Sequence, residues 1–420
     1  MLRRFSLGLR LIISVAFLCA MSPVYGAEKK EGSLKLVKTF EGARLYSLDN
    51  ISVVVLSGSF RQMGRQYGAL LGEKIKEFYE EAINKPFIAS GLFSKEELEV
   101  TFAQGVWKAI PKRQKELILG IAQESGLARE KVICASSVLY IQLLARRKLS
   151  GKSTSCSSAA IWGSYTADGK TLTARNYDFP DIFRKLAKDF LTVVVYRPSD
   201  GSNSLAGIGF AGSVSFIDAM NDKGMYIETN NGADSGGMVL FTGRTEPVSQ
   251  VTNILFDADD RDEFDIMINS IRPSYPTILM MADATSARYY EAATWDIRKR
   301  GAGEDQAIAA ANQFMDPSWG LLALPSPAVW YSSLRQSNLL SLAKGKPAGA
   351  DEKYMMSILD VGLYNEDWSL GKGAAVLKKN PNDNEVTVWQ VVASPSKRIM
   401  HLRLPTLTEW VLIDLNELLK

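Results

Sequence analysis

The chain has 420 residues, 46% of them apolar, with 49 Lys and Arg against 46 Asp and Glu and a single histidine. A formal charge of +3, with no basic patch beyond the first residues larger than the short Arg146-Arg147-Lys148 run, lacks the electrostatic footprint of a nucleic-acid binder. With Cys19 in the apolar leader, the two cysteines that remain, Cys134 and Cys156, and the single histidine are too few for a disulfide scaffold or a four-ligand structural zinc site.

Residues 1–26 read as an export signal. Arg3, Arg4 and Arg10 give a positive start, residues 11–21 an apolar stretch, and Val24-Tyr25-Gly26 precedes Ala27 as a cleavage site does. The apolar stretch is shorter than the about 20 residues a membrane span needs, and Leu18 before Cys19 fits lipidation poorly. The mature chain is therefore expected to be exported, periplasmic or secreted, with no stable membrane span. Without the three arginines it is formally neutral.

Residues 27–50 are charged and polar, and residues 51–56 form a β-branched strand that Gly58-Ser59 ends. Met63, Tyr67, Leu70, Leu71 and Ile75 then fall on one face of a helix over about 61–84. Ser94-Lys95-Glu96-Glu97 has the spacing of a capping box, and helical character continues through residues 133–144. Residues 146–153 are basic and polar, as an exposed linker is. Beyond them the texture changes. Strands are expected over 159–163 and 171–175 around Asp168-Gly169, over 191–196, and in a hairpin over 213–219 and 224–229. A helix over 249–271, strands over 275–281 and 287–292, helices over 332–343 and 354–363, and strands over 385–392 and 399–404 complete the chain. Strands in blocks between helices indicate α+β with stacked sheets.

The chemistry centres on Cys156, in Thr154-Ser155-Cys156-Ser157-Ser158. A cysteine nucleophile needs a base near neutrality, usually imidazole, and the one histidine, His401, sits in the last apolar strand, where it reads as a packed residue. The other group titrating there is a free α-amine, at about 7.7–8.0. Cutting the bond before Cys156 would put thiol and base on one residue, the logic of an N-terminal nucleophile. Cys134 lies in an apolar helical run and reads as a small buried hydrophobe, the rival reading being a disulfide with Cys156.

From about residue 51 to 404 the chain resembles the C45-type autoproteolytic acyltransferases and hydrolases, relatives of isopenicillin-N acyltransferase, choloylglycine hydrolase and penicillin V acylase. The residues carrying this are Gly64-Arg65-Gln66-Tyr67-Gly68, the hairpin from Cys156 to Gly163, and Arg175-Asn176-Tyr177-Asp178-Phe179. Met220-Asn221-Asp222-Lys223-Gly224, Ala311-Asn312-Gln313-Phe314 and Ser332-Ser333-Leu334-Arg335 follow in the family's order. The resemblance implies an α+β, four-layer αββα sandwich of the N-terminal nucleophile hydrolase type. It divides the chain into a signal (1–26), a mainly helical pro-segment (27–155) and a catalytic chain (156–420). By the same resemblance Cys156 is the nucleophile, Asp178 holds its α-amine or thiol, and Arg175 sits beside the sulfur. Asn312 and one of Asn230 and Asn231 are oxyanion donors, and Arg335 completes the charged surround. No metal or organic cofactor is implied, and the partner is a small acyl-amide substrate. Two rivals stand beside this amidohydrolase or acyltransferase: a lipid-directed hydrolase of the acid-ceramidase-like or phospholipase-B-like kind, and a non-catalytic envelope binding protein on the same fold.

Overall fold

The computed structural model describes residues 33–149, 156–232, 235, 243–320, 327–359 and 385–420. Among them, strands β1 (Lys35–Phe40), β2 (Ala43–Leu48), β3 (Ile51–Gly58), β6 (Leu191–Pro198), β7 (Leu205–Phe210), β8 (Asp218–Asn221), β9 (Tyr226–Asn231), β10 (Thr277–Ala282), β11 (Ala287–Ala292) and β12 (Ile297–Arg300) form one sheet in that order. A smaller sheet runs β13 (Ala307–Ala310), β4 (Ser157–Ile161), β5 (Leu172–Pro180), β14 (Glu385–Ser394), β15 (Ile399–Arg403) and β16 (Val411–Asp414).

Side-chain contacts fix the two sheets face to face. Arg175 on β5 donates to the backbone carbonyls of Ile217 and Thr229, and Trp389 on β14 donates to Asp218 on β8. The remaining faces carry helices. On the large sheet lie α1 (Phe60–Tyr79), which packs on β3, and the helices bound to it, α2 (Ala103–Ala109), α3 (Lys112–Ser125), α4 (Arg129–Ser136) and α5 (Val138–Lys148). Helix α6 (Asp181–Phe190) touches strands of both sheets, and α7 (Pro247–Asp257) covers β8 beside α8 (Arg261–Ile268). On the small sheet lie α9 (Pro327–Ala343) and α10 (Glu352–Ile358). The layers are thus α, β, β, α, as the sequence predicts.

The period-2 rule explains how the small sheet serves two cores. Ala160 points into the core between the sheets, whereas its neighbours Ala159 and Ile161 join Leu339, Ala343 and Met355 under the outer helices.

The segment before Cys156 is mainly helical from residue 60, and its first strands belong to the large sheet. β3 runs parallel to β6, from Ser52 beside Thr192 to Gly58 beside Pro198. The polar look of residues 27–50 hides β1, an edge strand with Leu36 and Val37 exposed, and β2, the next strand in, which buries only Ala43, Leu45 and Leu48. The expected capping box is present: the amide of Glu97 donates to Ser94 Oγ (3.0 Å) and the amide of Ser94 to Glu97 Oε2 (2.6 Å). The helix expected over 249–271 breaks at Ala258, and Asp260 caps the second piece by accepting from the amides of Asp262 and Glu263. Strands β7, β12, β13 and β16 carry no strong periodic signal in the sequence, whereas α6, absent from the expected elements, does have Phe183, Leu186, Ala187 and Phe190 at helical spacing. Residues 360–363 of the last expected helix lie outside the described residues, as do the signal and the bond before Cys156.

The glycines of the Gly64-to-Gly68 motif have a packing reason. A Cβ on Gly64 would lie 2.3 Å from the Leu117 carbonyl oxygen, and one on Gly120 2.5 Å from that of Arg61. Helices α1 and α3 therefore cross backbone to backbone.

Candidate active site

Cys156 immediately precedes β4, which sits between β13 and β5. Three remote segments converge on it through strand register. Ala310 stands opposite Ser158, so the chain leaving β13 brings Asn312 alongside Cys156. On the other side Ser157 pairs with Asn176, which places Tyr177 and Asp178 next to the cysteine. Its sulfur lies 3.6 Å from the backbone carbonyl of Asp178.

The Cys156 side chain is 3% exposed, at the floor of a small, mostly apolar pocket. Leu139 and Leu143 of α5, Phe179 of β5, Val248 of α7 and Tyr275 line it, with Asn231 at its polar side. The segment before Cys156 thus supplies one wall of the pocket around the thiol.

Arg335 arrives from α9, on the outer face of the small sheet. Its Nη1 donates to the backbone carbonyl of Cys156 (2.7 Å) and its Nη2 to Oδ1 of Asn312 (3.1 Å). With its carbonyl oxygen held, the Asn312 amide is oriented, and its Nδ2 donates to the backbone carbonyl of Asn231 (2.8 Å). The amide of Asn312 in turn donates to Ser332 Oγ. Cys156, Asn312, Arg335 and Asn231 are therefore one connected set. Asp178 joins it through the contact with sulfur, and its carboxylate accepts from Thr387 Oγ1 (2.7 Å).

Arg175 and Asn230 reach the site from within the sheet-to-sheet core: Asn230 lines the pocket that holds Cys156, and Arg175 interacts electrostatically with Cys156. Arg175 is 1% exposed and pairs with Asp218 at 2.8 Å, while its other bonds go to the Ile217 and Thr229 carbonyls. Burial works against its charge, and Asp218, Cys156 and Glu228 outweigh that, so the guanidinium is held charged above its ordinary range. Its field reaches the sulfur, while the hydrogen bonds of its Nη1 and Nη2 go to the opposite sheet. Asn230 donates to Ser158 Oγ (3.2 Å), which also bonds the Tyr289 hydroxyl (2.9 Å). Sequence reasoning missed Asp218, Glu228, Tyr289 and Trp389. The only signal for them was the presence of two acids in strands otherwise buried.

Among the described residues neither Cys134 nor Cys156 is in a disulfide. Cys134 is buried with its sulfur 3.5 Å from the Leu98 carbonyl, and burial pushes its thiol well above the ordinary range. It is a packed residue, as its apolar context predicts. His401 sits on β15, paired with Val392 and Leu412, three strands from β4.

No family model matches the sequence, and no curated protein matches it. In three dimensions the chain is similar to a variant of conjugated bile acid hydrolase from Clostridium perfringens, at 13% identity over 62% of this chain and 93% of that one, with a TM-score of 0.40. It is also similar to an N-acylethanolamine-hydrolyzing acid amidase ortholog from Caenorhabditis elegans (15% identity, 57% and 93% covered, TM-score 0.40). A third likeness is to penicillin V acylase from Agrobacterium tumefaciens (11%, 62% and 87%, TM-score 0.42).

Proposed function

We propose that the protein is an exported cysteine N-terminal nucleophile hydrolase that cleaves a linear amide through an acyl-cysteine, after opening its own chain before Cys156. The observation that carries this reading is the Arg335 guanidinium, which binds the Cys156 carbonyl and the Asn312 side chain at once. A buried arginine bridging a thiol residue and an orientable amide has little structural purpose at a strand start. It is what a nucleophile and an oxyanion donor need in order to keep a fixed separation.

Self-processing begins when the Cys156 thiol adds to the carbonyl of Ser155. The C–N bond breaks, the peptide nitrogen takes the thiol proton and becomes the free Cys156 amine, and water hydrolyses the resulting thioester to a Ser155 carboxylate and the Cys156 thiol. In turnover that amine accepts the thiol proton. The thiolate adds to the substrate carbonyl while the Asn312 Nδ2–H turns from the Asn231 carbonyl to the developing oxyanion. A donor of this kind is commonly worth about 3–4 kcal/mol of barrier. The ammonium returns its proton to the leaving nitrogen as the C–N bond breaks, and water then releases the acid. An amine in place of water gives acyl transfer from the same intermediate. In this reading Asp178, whose backbone carbonyl lies against the sulfur and whose carboxylate accepts from Thr387, holds the new ammonium.

The pocket's lining favours an apolar acyl group, since Leu139, Leu143, Phe179 and Val248 offer no charge. Intact mass and N-terminal sequencing of the purified protein are expected to give a chain starting at Cys156, and C156A a single uncut chain. Turnover by intact, uncut wild-type chain would sink the self-processing mechanism. A wild-type chain that stays whole and hydrolyses no N-acyl amide would favour a binding protein instead.

A further inference from the structure

One wholly buried acid has no task in this chemistry. Asp218 and Glu228 stand directly opposite each other on β8 and β9, and both are fully buried. Opposed residues on antiparallel strands bring their Cβ atoms to about 5 Å, so the two acids share one face, toward the small sheet. The Asp218 carboxylate is matched by Arg175 Nη1 (2.8 Å), the Tyr226 hydroxyl (3.0 Å) and Trp389 Nε1 (3.0 Å). Among the described residues neither carboxyl oxygen of Glu228 has a hydrogen-bond partner, and neither has Nε of Arg175. The groups facing Glu228 are Arg175 from β5, Ser158 from β4, Asp218 from β8, Tyr289 from β11 and Tyr226 from its own strand. One cation cannot neutralise two buried carboxylates, and a buried unpaired charge is costly. Burial pushes Glu228 up to about 8, with Arg175 opposing.

We propose that Glu228 is a positioning residue for the nucleophile, acting through Arg175. As the neutral acid it leaves the guanidinium's charge to Asp218 and Cys156; as the carboxylate it takes the unpaired Nε–H and draws that charge away from the sulfur. The step is one proton lost from Glu228 to solvent. It rests on the reading of Cys156 as the nucleophile.

The test needs no substrate. Alkylation of Cys156 by iodoacetamide is followed from about pH 5 to 10, with the adduct read by peptide mass spectrometry so that Cys134 is scored separately. Losing the guanidinium makes the thiolate more basic, and one unit of basicity raises thiolate reactivity about threefold. Wild type is expected to show an extra rise of about threefold on its alkaline side, and E228Q to lack it. The α-amine of Cys156 titrates in both forms and cancels in the comparison. A buried acid that only fills space would move no inflection. Superimposed profiles overturn the proposal. If Cys156 is hyperreactive in both, Glu228 alone loses its role; if it reacts as an ordinary thiol in both, the nucleophile reading falls too. Should E228Q fail to fold, infrared spectra of wild type with isotope-labelled Glu decide: a protonated carboxyl band at neutral pH, lost in step with the alkaline rise, is expected. Its absence at neutral pH overturns the proposal.

Discussion

Arg335 Nη1 lies 2.7 Å from the carbonyl oxygen of Cys156, across 179 positions of sequence. The same planar group reaches Oδ1 of Asn312 at 3.1 Å, so one side chain sets two others in register. The bridge depends on a fork of donors that a lysine ammonium cannot reproduce.

Arg335→Lys is therefore expected to lower kcat/KM on N-acyl amides about 100-fold, the scale on which a misplacement of about 1 Å acts. The KM should change little, because Arg335 does not line the apolar pocket. Melting by circular dichroism should stay close to wild type, since the lysine keeps the charge. Near wild-type turnover in Arg335→Lys would show that the bridge is structural packing.

The hairpin that follows Cys156 was legible in the sequence because its signals are local. Asp168-Gly169 forms the expected turn, with Gly169 at φ +73° and the Lys170 amide donating to Asp168 Oδ1. Residues 191–196 are a strand because their β-branched run fits a sheet buried on both faces. Asn312 and Arg335 could be chosen only through the family resemblance, yet register and helix placement bring both to Cys156. The partners of Arg175 were illegible for a physical reason. Which side chain meets a guanidinium across a sheet-to-sheet interface depends on how the sheets stack, and no periodicity within one strand encodes that.

That placement changes what an Arg175 variant reports. With Arg175 buried against Asp218, removing it leaves one acid without its cation beside another acid. Arg175→Met is expected to cost about 3–5 kcal/mol, as breaking one side of a buried pair does. Adding Asp218→Asn should recover part of that loss, because the uncompensated charge goes with it. Urea unfolding of wild type, both single variants and the double variant measures the coupling. Additive losses would mean that the two side chains do not act as a pair. Asp178→Asn, by contrast, keeps the hydrogen bond from Thr387 and should slow processing and turnover with little effect on stability.

The last prediction separates the base of the reaction from the only imidazole. Burial lowers His401 from its ordinary value of 6.5, with Glu352 opposing. The unfolded chain then binds the proton more readily than the folded one, so the contribution of His401 to stability is present above about pH 6.5 and is lost as the pH falls. Glu228 has the opposite sign. Its folded value of about 8 exceeds its ordinary value of 4.5, so its contribution is full below about 4.5 and is lost as the pH rises toward 8. His401→Asn should therefore remove an acid-side loss of thermal stability while leaving the alkaline side as in wild type. Because His401 lies three strands from β4, the pH profile of turnover should be unchanged, its neutral limb belonging to the α-amine and thiol of Cys156 as a coupled pair. A neutral limb that vanished in His401→Asn would make the histidine the base, and the N-terminal nucleophile mechanism would have to be given up.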